Sequence, residues 1–423
     1  MQLDAGIFDS CGKTNEIVGK SGVMDQELHL EIVYENNLDT DKFARMFNNK
    51  AQSYKFYWFE AILNLSVALD EDLTFEEIID EMICEAWHTV THYHLRLGPT
   101  VNGNAENFLE HAINTLNITA KGLPPNPSKE ELKEAIKECN NELKRDKYRL
   151  TDYVPYKLLY PFFDTEGLEE GLSYIKKDQR TRLIAYMAKL SGNENLFYTI
   201  LDGVGLQKKI HMNPHWRKFL IKNYVVIRSW VQYNKAQFLQ NRNPGVPGII
   251  YKICPENEEF RKLEQARDLW KTVAEITGKP IKEIYTGKDI PIELLSIDHF
   301  VPRSYISNDE LWNLTPMRRP LNSSKNNKLP SWDDFFEPFA QYQFYLYGLI
   351  FPKERLPQSE ILIKKFDKCR RNNLNAIWAA ETLYIPGNST SQFIGILEHN
   401  MKPIYDAACL QGYDTWKINA EMI

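Results

Sequence analysis

One polar stretch stands out from the helical patterns around it: "LLSIDHFVPRSYISNDELWNLTPMRRPLNSSKNNKLP", residues 294–330. Its first part, "LLSIDHFVP", is a short apolar run that ends in Asp298 and His299, which predicts a strand that delivers two polar side chains. "LWNLTPM" (311–317) predicts a second strand, and "RRPLNSSKNNK" (318–328) a helical segment ended by Pro330. The pattern therefore predicts a small strand–strand–helix unit.

The polar residues of this unit suit the hydrolysis of a phosphodiester. A neutral histidine near pH 7 can take a proton from attacking water, and His299 is the candidate base. Hard cations such as Mg²⁺ prefer oxygen ligands, which Asp298 and Asn322 can supply. Lys325 lies three residues after Asn322 on the same helical face, where its ammonium group could approach the phosphate. Asn313 on the second strand could orient His299 through a hydrogen bond.

These residues resemble an HNH endonuclease domain of the ββα-metal architecture. The spacing is closest to that in the RNA-guided CRISPR effector nucleases. The matching residues are Asp298, His299, Pro302, Asn313, Asn322 and Lys325. The resemblance implies that His299 is the general base, that Asp298 and Asn322 are the metal ligands, and that Asn313 gives structural support. It also implies one catalytic Mg²⁺ (or Mn²⁺) and cleavage of one DNA strand per active site.

The sequence departs from that pattern in two ways. Ser296 stands where the CRISPR effector carries an additional acidic residue, two positions before the Asp-His pair. The zinc-binding CxxC frame of many HNH domains is missing, so no structural zinc is expected. "SYKFYWFEAIL" (53–63) and "QFLQNRNPGVPG" (237–248) resemble parts of bacterial proteins known only as containing an HNH domain.

The rest of the chain predicts a mainly α protein with the small α+β nuclease domain embedded in it. "TFEEIIDEMICEAWHTVTHYH" begins with a capping box of Thr74 and Glu77. A long helix is expected from about His215 to the stop at Asn243-Pro244-Gly245, and the alternating pattern of residues 28–35 predicts either a loose extension or a short strand. The predicted division is an N-terminal extension (1–50), a helical domain (51–200), a basic helical DNA-approach region (201–284), the HNH domain (285–335) and a C-terminal helical region (336–423).

Charge is distributed unevenly along the chain. Residues 1–100 hold 7 Lys and Arg against 18 Asp and Glu, a net of −11, whereas residues 205–330 hold 21 against 12, a net of +9. The basic region could bind a polyanion, although a solvated surface is the commoner reason for such a region. The candidate nucleic-acid contacts are Lys235, Arg242, Arg303, Arg318, Arg319 and Lys328.

One helix within the basic region has two interpretations. Lys235 and Arg242 are interleaved with Trp230, Tyr233 and Phe238. This arrangement could follow a nucleic-acid backbone with aromatic rings stacked on bases. The same spacing suits an amphipathic helix that buries its aromatic face, and the sequence leaves both possibilities open.

Other features point to a cytoplasmic protein without a membrane segment. The 6 cysteines form no CxxC pair, which favours free thiols in a reducing compartment. The N-terminus does not have the pattern of a signal peptide, and the most apolar stretch, 56–69, is too short to span a bilayer and contains Glu60. His88 and His92 have the spacing of a helical metal pair, but ordinary hydrogen-bonded histidines are favoured.

The sequence therefore predicts a metal-dependent HNH endonuclease that hydrolyses DNA, with a role in bacterial anti-phage defence or restriction. A different class of function stays open: a DNA-binding subunit of a larger CRISPR-type interference complex, with other protein subunits and a guide RNA as partners, that cuts only when recruited. A nuclease-dead scaffold is disfavoured because Asp298, His299 and Asn322 are all present.

Overall fold

The computed structural model describes residues 38–48, 51–68, 72–99, 106–152, 154–162, 196–254, 263–354 and 357–418. The stretch 28–35, predicted to be a loose extension or a short strand, lies outside these residues, as does most of the predicted N-terminal extension.

The first half of the described chain is helical. Thr74 caps helix α3 (Phe75–Thr91) as predicted, because its side chain accepts from the Glu77 amide while the Glu77 carboxylate accepts from the Thr74 amide. Asn107 and Ser128 begin two further helices with the same reciprocal bonds. The helices are α1 (Thr40–Ala44), α2 (Tyr54–Ala68), α3 (Phe75–Thr91), α4 (Phe108–Thr119), α5 (Lys129–Glu138), α6 (Asn140–Leu150) and α7 (Val154–Lys157).

A small antiparallel sheet joins distant parts of this half. Its strands are β1 (Leu73–Thr74), β2 (Tyr198–Ile200) and β3 (Lys209–Met212), in the order β1–β3–β2. Ile210 of β3 faces both Leu73 and Ile200, and the side chain of Ile210 is buried. Strands from both sides of residue 200, where a domain boundary is predicted, therefore pair in one sheet.

The long helix expected after His215 is two helices. These are α8 (Pro214–Lys222) and α9 (Tyr224–Arg242), which meet at Asn223. The Asn223 side chain donates to the carbonyl of Phe219, and such a local side-chain bond competes with continuous helix. Helix α9 ends at Arg242, directly before Asn243-Pro244-Gly245, as predicted. Two helices follow, α10 (Ile249–Ile253) and α11 (Leu263–Thr277).

Both strands predicted in the polar stretch are present. Strand β4 (Leu295–His299) pairs antiparallel with β5 (Leu314–Arg318), in a register that sets His299 opposite Leu314. A short helix α12 (Arg303–Ile306) lies in the connection, and α13 (Arg319–Lys325) follows β5 directly. Helix α13 ends at Lys325, earlier than predicted, because Asn326 has a positive φ of 47°. The sheet and helix place Asp298, His299 and Asn322 near one another.

Three long helices complete the described chain: α14 (Trp332–Ile350), α15 (Pro357–Asn373) and α16 (Thr390–Leu410). Helix α11 packs along α15, and α14 contacts both α15 and α16. The main hydrophobic cluster runs from Phe43 to Tyr413, through the predicted domain boundaries. The mainly α prediction is confirmed, and among the described residues no helix has the length and apolarity needed to cross a membrane.

Candidate functional site

A cavity of about 340 Å³ opens where β4 ends and α13 begins. It brings together three residues that the sequence places in a catalytic site, Asp298, His299 and Asn322. Its remaining lining residues are His92, Leu263, Ile297, Pro302, Arg303, Ser304, Arg319, Ser323, Asn326 and Asn327. The cavity is the candidate active site, because a concave pocket with convergent polar groups is where ligands bind.

His299 has a carboxylate partner. Its Nε2 lies 2.9 Å from Asp309 Oδ1, and both side chains are largely buried. Arg303 Nε lies 3.3 Å from the same carboxylate oxygen. A carboxylate at Nε2 favours the tautomer that carries its proton there, which leaves Nδ1 as the nitrogen able to accept a proton.

Asp298 is buried with a cation beside it. Lys325 Nζ lies 3.2 Å from both carboxylate oxygens of Asp298 and donates to the His299 carbonyl at 2.7 Å. Tyr285 Oη donates to Asp298 Oδ2 at 3.1 Å. Lys325 is fully buried, so its ammonium group lies behind Asp298 and not at the cavity wall where a phosphate would meet it. The structure thus places Lys325 differently from the sequence analysis.

Burial shapes the proton affinities around Asp298. It raises the pKa of Tyr285 well above its ordinary value, and Asp298 and Glu283 act in the same direction, so the phenol stays protonated and donates. Burial lowers the pKa of Lys325, and the Asp298 carboxylate opposes that shift. The result is a compact polar group whose members satisfy one another away from water.

Asn313 holds the chain directly after His299. Its Oδ1 accepts from the Val301 amide and its Nδ2 donates to the Val301 carbonyl, both at 2.8 Å. The Asn313 carbonyl also accepts from the Phe300 amide at 2.8 Å. Asn313 is completely buried. It therefore braces the backbone of the loop, whereas the predicted hydrogen bond to the His299 ring is made by Asp309.

Asp298 and Asn322 carry oxygen atoms of the kind that a hard cation prefers, but Lys325 and Tyr285 hold both carboxylate oxygens of Asp298. Asn322 Nδ2 donates to Ser296 Oγ and to the Ile297 carbonyl, both at 3.2 Å, which leaves Oδ1 as the atom available to a ligand. Among the described residues no group of three or more His, Cys, Asp and Glu could hold a metal. Mg²⁺ commonly needs only one or two protein ligands, with water and phosphate oxygens completing its shell.

The predicted nucleic-acid contacts fall into two groups. Arg242, Arg319 and Lys328 are exposed, and Arg303 is half-buried at the cavity. Arg318 is held by the buried Glu283, which accepts from its backbone amide at 2.8 Å and from its guanidinium at 2.8 and 3.1 Å. Arg319 is thus the arginine after β5 that both lines the cavity and faces solvent.

Lys235 is not a surface residue. Its ammonium group bonds both carboxylate oxygens of the buried Glu60, at 2.8 and 2.7 Å, and lies over the Tyr57 ring. Phe238 is buried, and Trp230 stacks on Phe47. Of the two interpretations of this helix, the structure therefore supports the amphipathic one with a buried aromatic face, and Lys235 cannot reach a nucleic-acid backbone in this arrangement.

Sequence reasoning missed three residues near the chemistry. Asp309 could have been identified as a partner of His299, since it is an acidic residue ten positions after His299 in the connection between the two predicted strands. Tyr285 carries no such signal, and the spacing of His88 and His92 does not indicate this site, because both Tyr285 and His92 reach it only through the fold.

One of three comparisons with known proteins found a match, and it covers one segment of the chain. Residues 283–331 match the family model described as HNH endonuclease. Neither the comparison with curated proteins nor that with solved structures found a match for the chain. The family match covers β4, β5 and α13, the elements that carry Asp298, His299 and Asn322. It supports an HNH domain in residues 283–331, and with it a nuclease that acts on nucleic acid.

Proposed function

We propose that the chain is a metal-dependent HNH endonuclease that hydrolyses DNA phosphodiester bonds in the cavity at the end of β4, within a ββα-metal domain. One observation carries the proposal: Asp298, His299 and Asn322, at the spacing of an HNH motif, line the same cavity. A base and two oxygen ligands around one concave space are what hydrolysis of a phosphodiester requires.

In the proposed reaction, water attacks the phosphorus while His299 Nδ1 takes its proton. The bond between phosphorus and the leaving oxygen then breaks. Asp309, at 2.9 Å from Nε2, stabilises the imidazolium that forms and holds the ring in place. Asn313 keeps the following loop rigid through its two bonds to Val301, so that His299 is presented at a constant position.

Asp298 and Asn322 Oδ1 would hold the cation, Mg²⁺ or Mn²⁺. A bound divalent cation supplies charge neutralisation at the leaving oxygen and at the phosphate. Lys325 counterbalances the buried Asp298 from the interior side, at 3.2 Å. Exposed Arg319 and Lys328, with half-buried Arg303, would meet the DNA backbone near the cavity. Arg242 would contact it farther along the basic region.

The proposal is tested by cleavage of supercoiled plasmid, single-stranded DNA and RNA in Mg²⁺, Mn²⁺ or EDTA. Removal of a general base costs about 10²–10⁴-fold in rate, so His299→Ala should lower plasmid nicking by that factor. His399→Ala is the control, because His399 is exposed on α16. Cleavage by His299→Ala at the wild-type rate, or cleavage that persists in EDTA, would contradict the proposal.

The resemblance to HNH endonucleases suggests the wider role: the protein would be a cytoplasmic bacterial enzyme that acts in anti-phage defence or restriction. The second candidate, a subunit of a CRISPR-type interference complex that cuts only when recruited with its guide RNA, is favoured by the Lys325 ammonium group on Asp298. That ion pair would have to adjust when a cation binds, and docking of a partner could drive the adjustment. Free protein that nicks plasmid with Mg²⁺ supports the independent enzyme; nicking only after a partner is added supports the subunit.

A further inference from the structure

A histidine from the N-terminal half of the chain reaches the candidate active site. His92 follows the last residue of α3, its amide bonds the His88 carbonyl at 3.1 Å, and it lines the same cavity as His299. Of the residues that line this cavity, His92 and Leu263 are the two outside 283–331. The cavity is therefore completed by parts of the chain beyond the HNH match.

Specific bonds connect His92 to the site. Asn327 Nδ2 donates to the His92 carbonyl at 2.7 Å, and the Asn327 side-chain oxygen accepts from Ser304 Oγ. Asn327 thus ties the end of α3 both to the segment after α13 and to the loop that follows His299. The preceding Asn326 adopts a φ of 47°, which side-chain-bearing residues rarely adopt and which is maintained only when surrounding contacts require it.

The ring of His92 has two packing partners, the rings of His88 (centroids 6.4 Å apart) and of Tyr93. Its centroid lies 4.7 Å from that of Tyr93 at an interplanar angle of 85°, an edge-to-face contact. The residue is half-buried and lines the cavity, so it is packed on one side and accessible on another. A packed but accessible imidazole can present an N–H at a defined place with little loss of conformational entropy on binding.

The chemistry of the cavity leaves a place for such a donor. Negative charge develops on the non-bridging oxygens of a phosphodiester during attack, and preorganised donors stabilise it. Lys325, the residue expected to do this from its sequence position, is buried on Asp298. Arg303 already shares the Asp309 carboxylate with His299.

We propose that His92 is a further catalytic residue, which donates an N–H hydrogen bond to a non-bridging oxygen of the phosphodiester held in this cavity. The inference rests on the proposed nuclease function and extends its active site from residues 283–331 to the end of α3. The alternative is that His92 acts structurally, through contacts such as its packing on Tyr93 and His88 and its backbone bond with Asn327.

The test compares three variants in single-turnover nicking of supercoiled plasmid with Mg²⁺. Loss of one such donor typically costs about 10²–10³-fold in rate, so His92→Ala should slow nicking by about that factor. His92→Gln keeps a side-chain N–H and should recover part of the loss. His399→Ala is the control, because His399 is exposed on α16 and does not line the cavity. It should nick at the wild-type rate.

Thermal unfolding of each variant separates chemistry from packing. Nicking that falls in His92→Ala at an unchanged melting temperature, with partial recovery in His92→Gln, supports the inference. If the wild type nicks plasmid, His299→Ala does not, and His92→Ala nicks at the wild-type rate, this inference is overturned and the proposed function stands. Equal losses in His92→Ala and His92→Gln, in step with lowered melting temperatures, assign His92 to packing. A wild-type chain that cuts no nucleic acid overturns both.

Discussion

At the scale of single residues, Asp309 decides how His299 can act. Its carboxylate accepts from one ring nitrogen, and the backbone around Asp309 is fixed by neighbours. Asn373 Nδ2 donates to the Asp309 carbonyl at 2.8 Å, and the buried Glu310 accepts from the backbone amides of Asn375 and Ala376. The C-terminal helical region thereby holds the partner of the proposed base.

We expect Asp309→Ala to lower the nicking rate by about 10²-fold or more, because the imidazole loses the group that sets its tautomer and stabilises its charged form. Affinity for DNA should not fall, since Asp309 does not line the cavity and its loss removes a negative charge from Arg303. Asp289→Ala serves as control, because Asp289 is exposed and pairs with exposed Lys282. A rate equal to that of wild type would show that Asp309 has no part in the reaction.

At the scale of elements, the segment 243–254 holds the loop that follows β4 in place through hydrogen bonds and close packing. Tyr305 Oη donates to the Gly245 carbonyl at 2.9 Å. A side chain at Gly248 would meet Ser307 at 2.9 Å, and the φ of Gly248 is 61°, so glycine is required there. The buried Lys252 donates to the carbonyls of Ser304 and Tyr305 at the end of α12 and lies 2.7 Å from Ser307 Oγ.

The burial of Lys252 predicts a pH dependence of stability. Burial, with a smaller contribution from Arg303, lowers the pKa of Lys252 to about 7, whereas an unfolded lysine titrates near ~10.4. Between these values the unfolded chain binds more protons, so this group makes stability rise with pH. The free-energy cost of burying the charged lysine is fully present below pH 7, and it decreases as the pH rises toward the pKa of the unfolded lysine.

Urea unfolding of wild type and Lys252→Met checks this. The free energy of unfolding of wild type, relative to Lys252→Met, should increase by about 2 kcal/mol from pH 7 to pH 9. Lys282→Met, at an exposed lysine, should show no such trend. A difference between wild type and Lys252→Met that is constant with pH would mean that Lys252 keeps an ordinary proton affinity in the folded protein.

At the scale of the whole molecule, burial divides the basic residues into structural and accessible ones. Lys235, Lys252 and Lys325 are buried on oxygen partners, whereas Arg319 and Lys328 face solvent beside the candidate site. Only accessible cations can displace counterions from DNA. The net charge of a sequence region therefore overstates the charge that a nucleic acid would meet.

Salt dependence of DNA binding measures this division. Each lost phosphate contact reduces the slope of log K against log salt by about 0.9, so Arg319→Ala should lower the slope by roughly that amount. Lys368→Ala, at an exposed lysine on α15 and away from the cavity, should leave it unchanged. Binding would be measured with a fluorescent duplex between 50 and 200 mM salt. Equal slopes for wild type and Arg319→Ala would remove Arg319 from the interface.

Local sequence was sufficient for the elements and for part of the site. The capping box at Thr74 and the helix stop at Asn243 depend on neighbours a few residues away, and both are present. Asp298, His299 and Asn322 converge because two short strands and a helix connect them directly. The break at Asn223 was not anticipated, since it depends on a single side chain that bonds its own helix.

Residue patterns along the chain are enough to predict a mainly helical protein, a strand–strand–helix unit and the three polar residues that line its cavity, because these follow from hydrophobic periodicity, capping and short spacings. Which charged groups are available to a ligand depends instead on contacts between distant parts of the chain. Lys235 is neutralised by Glu60, 175 positions away, and His92 is joined to Asn327, 235 positions away. Burial and ion pairing arise from such distant contacts, which residue type and spacing do not encode.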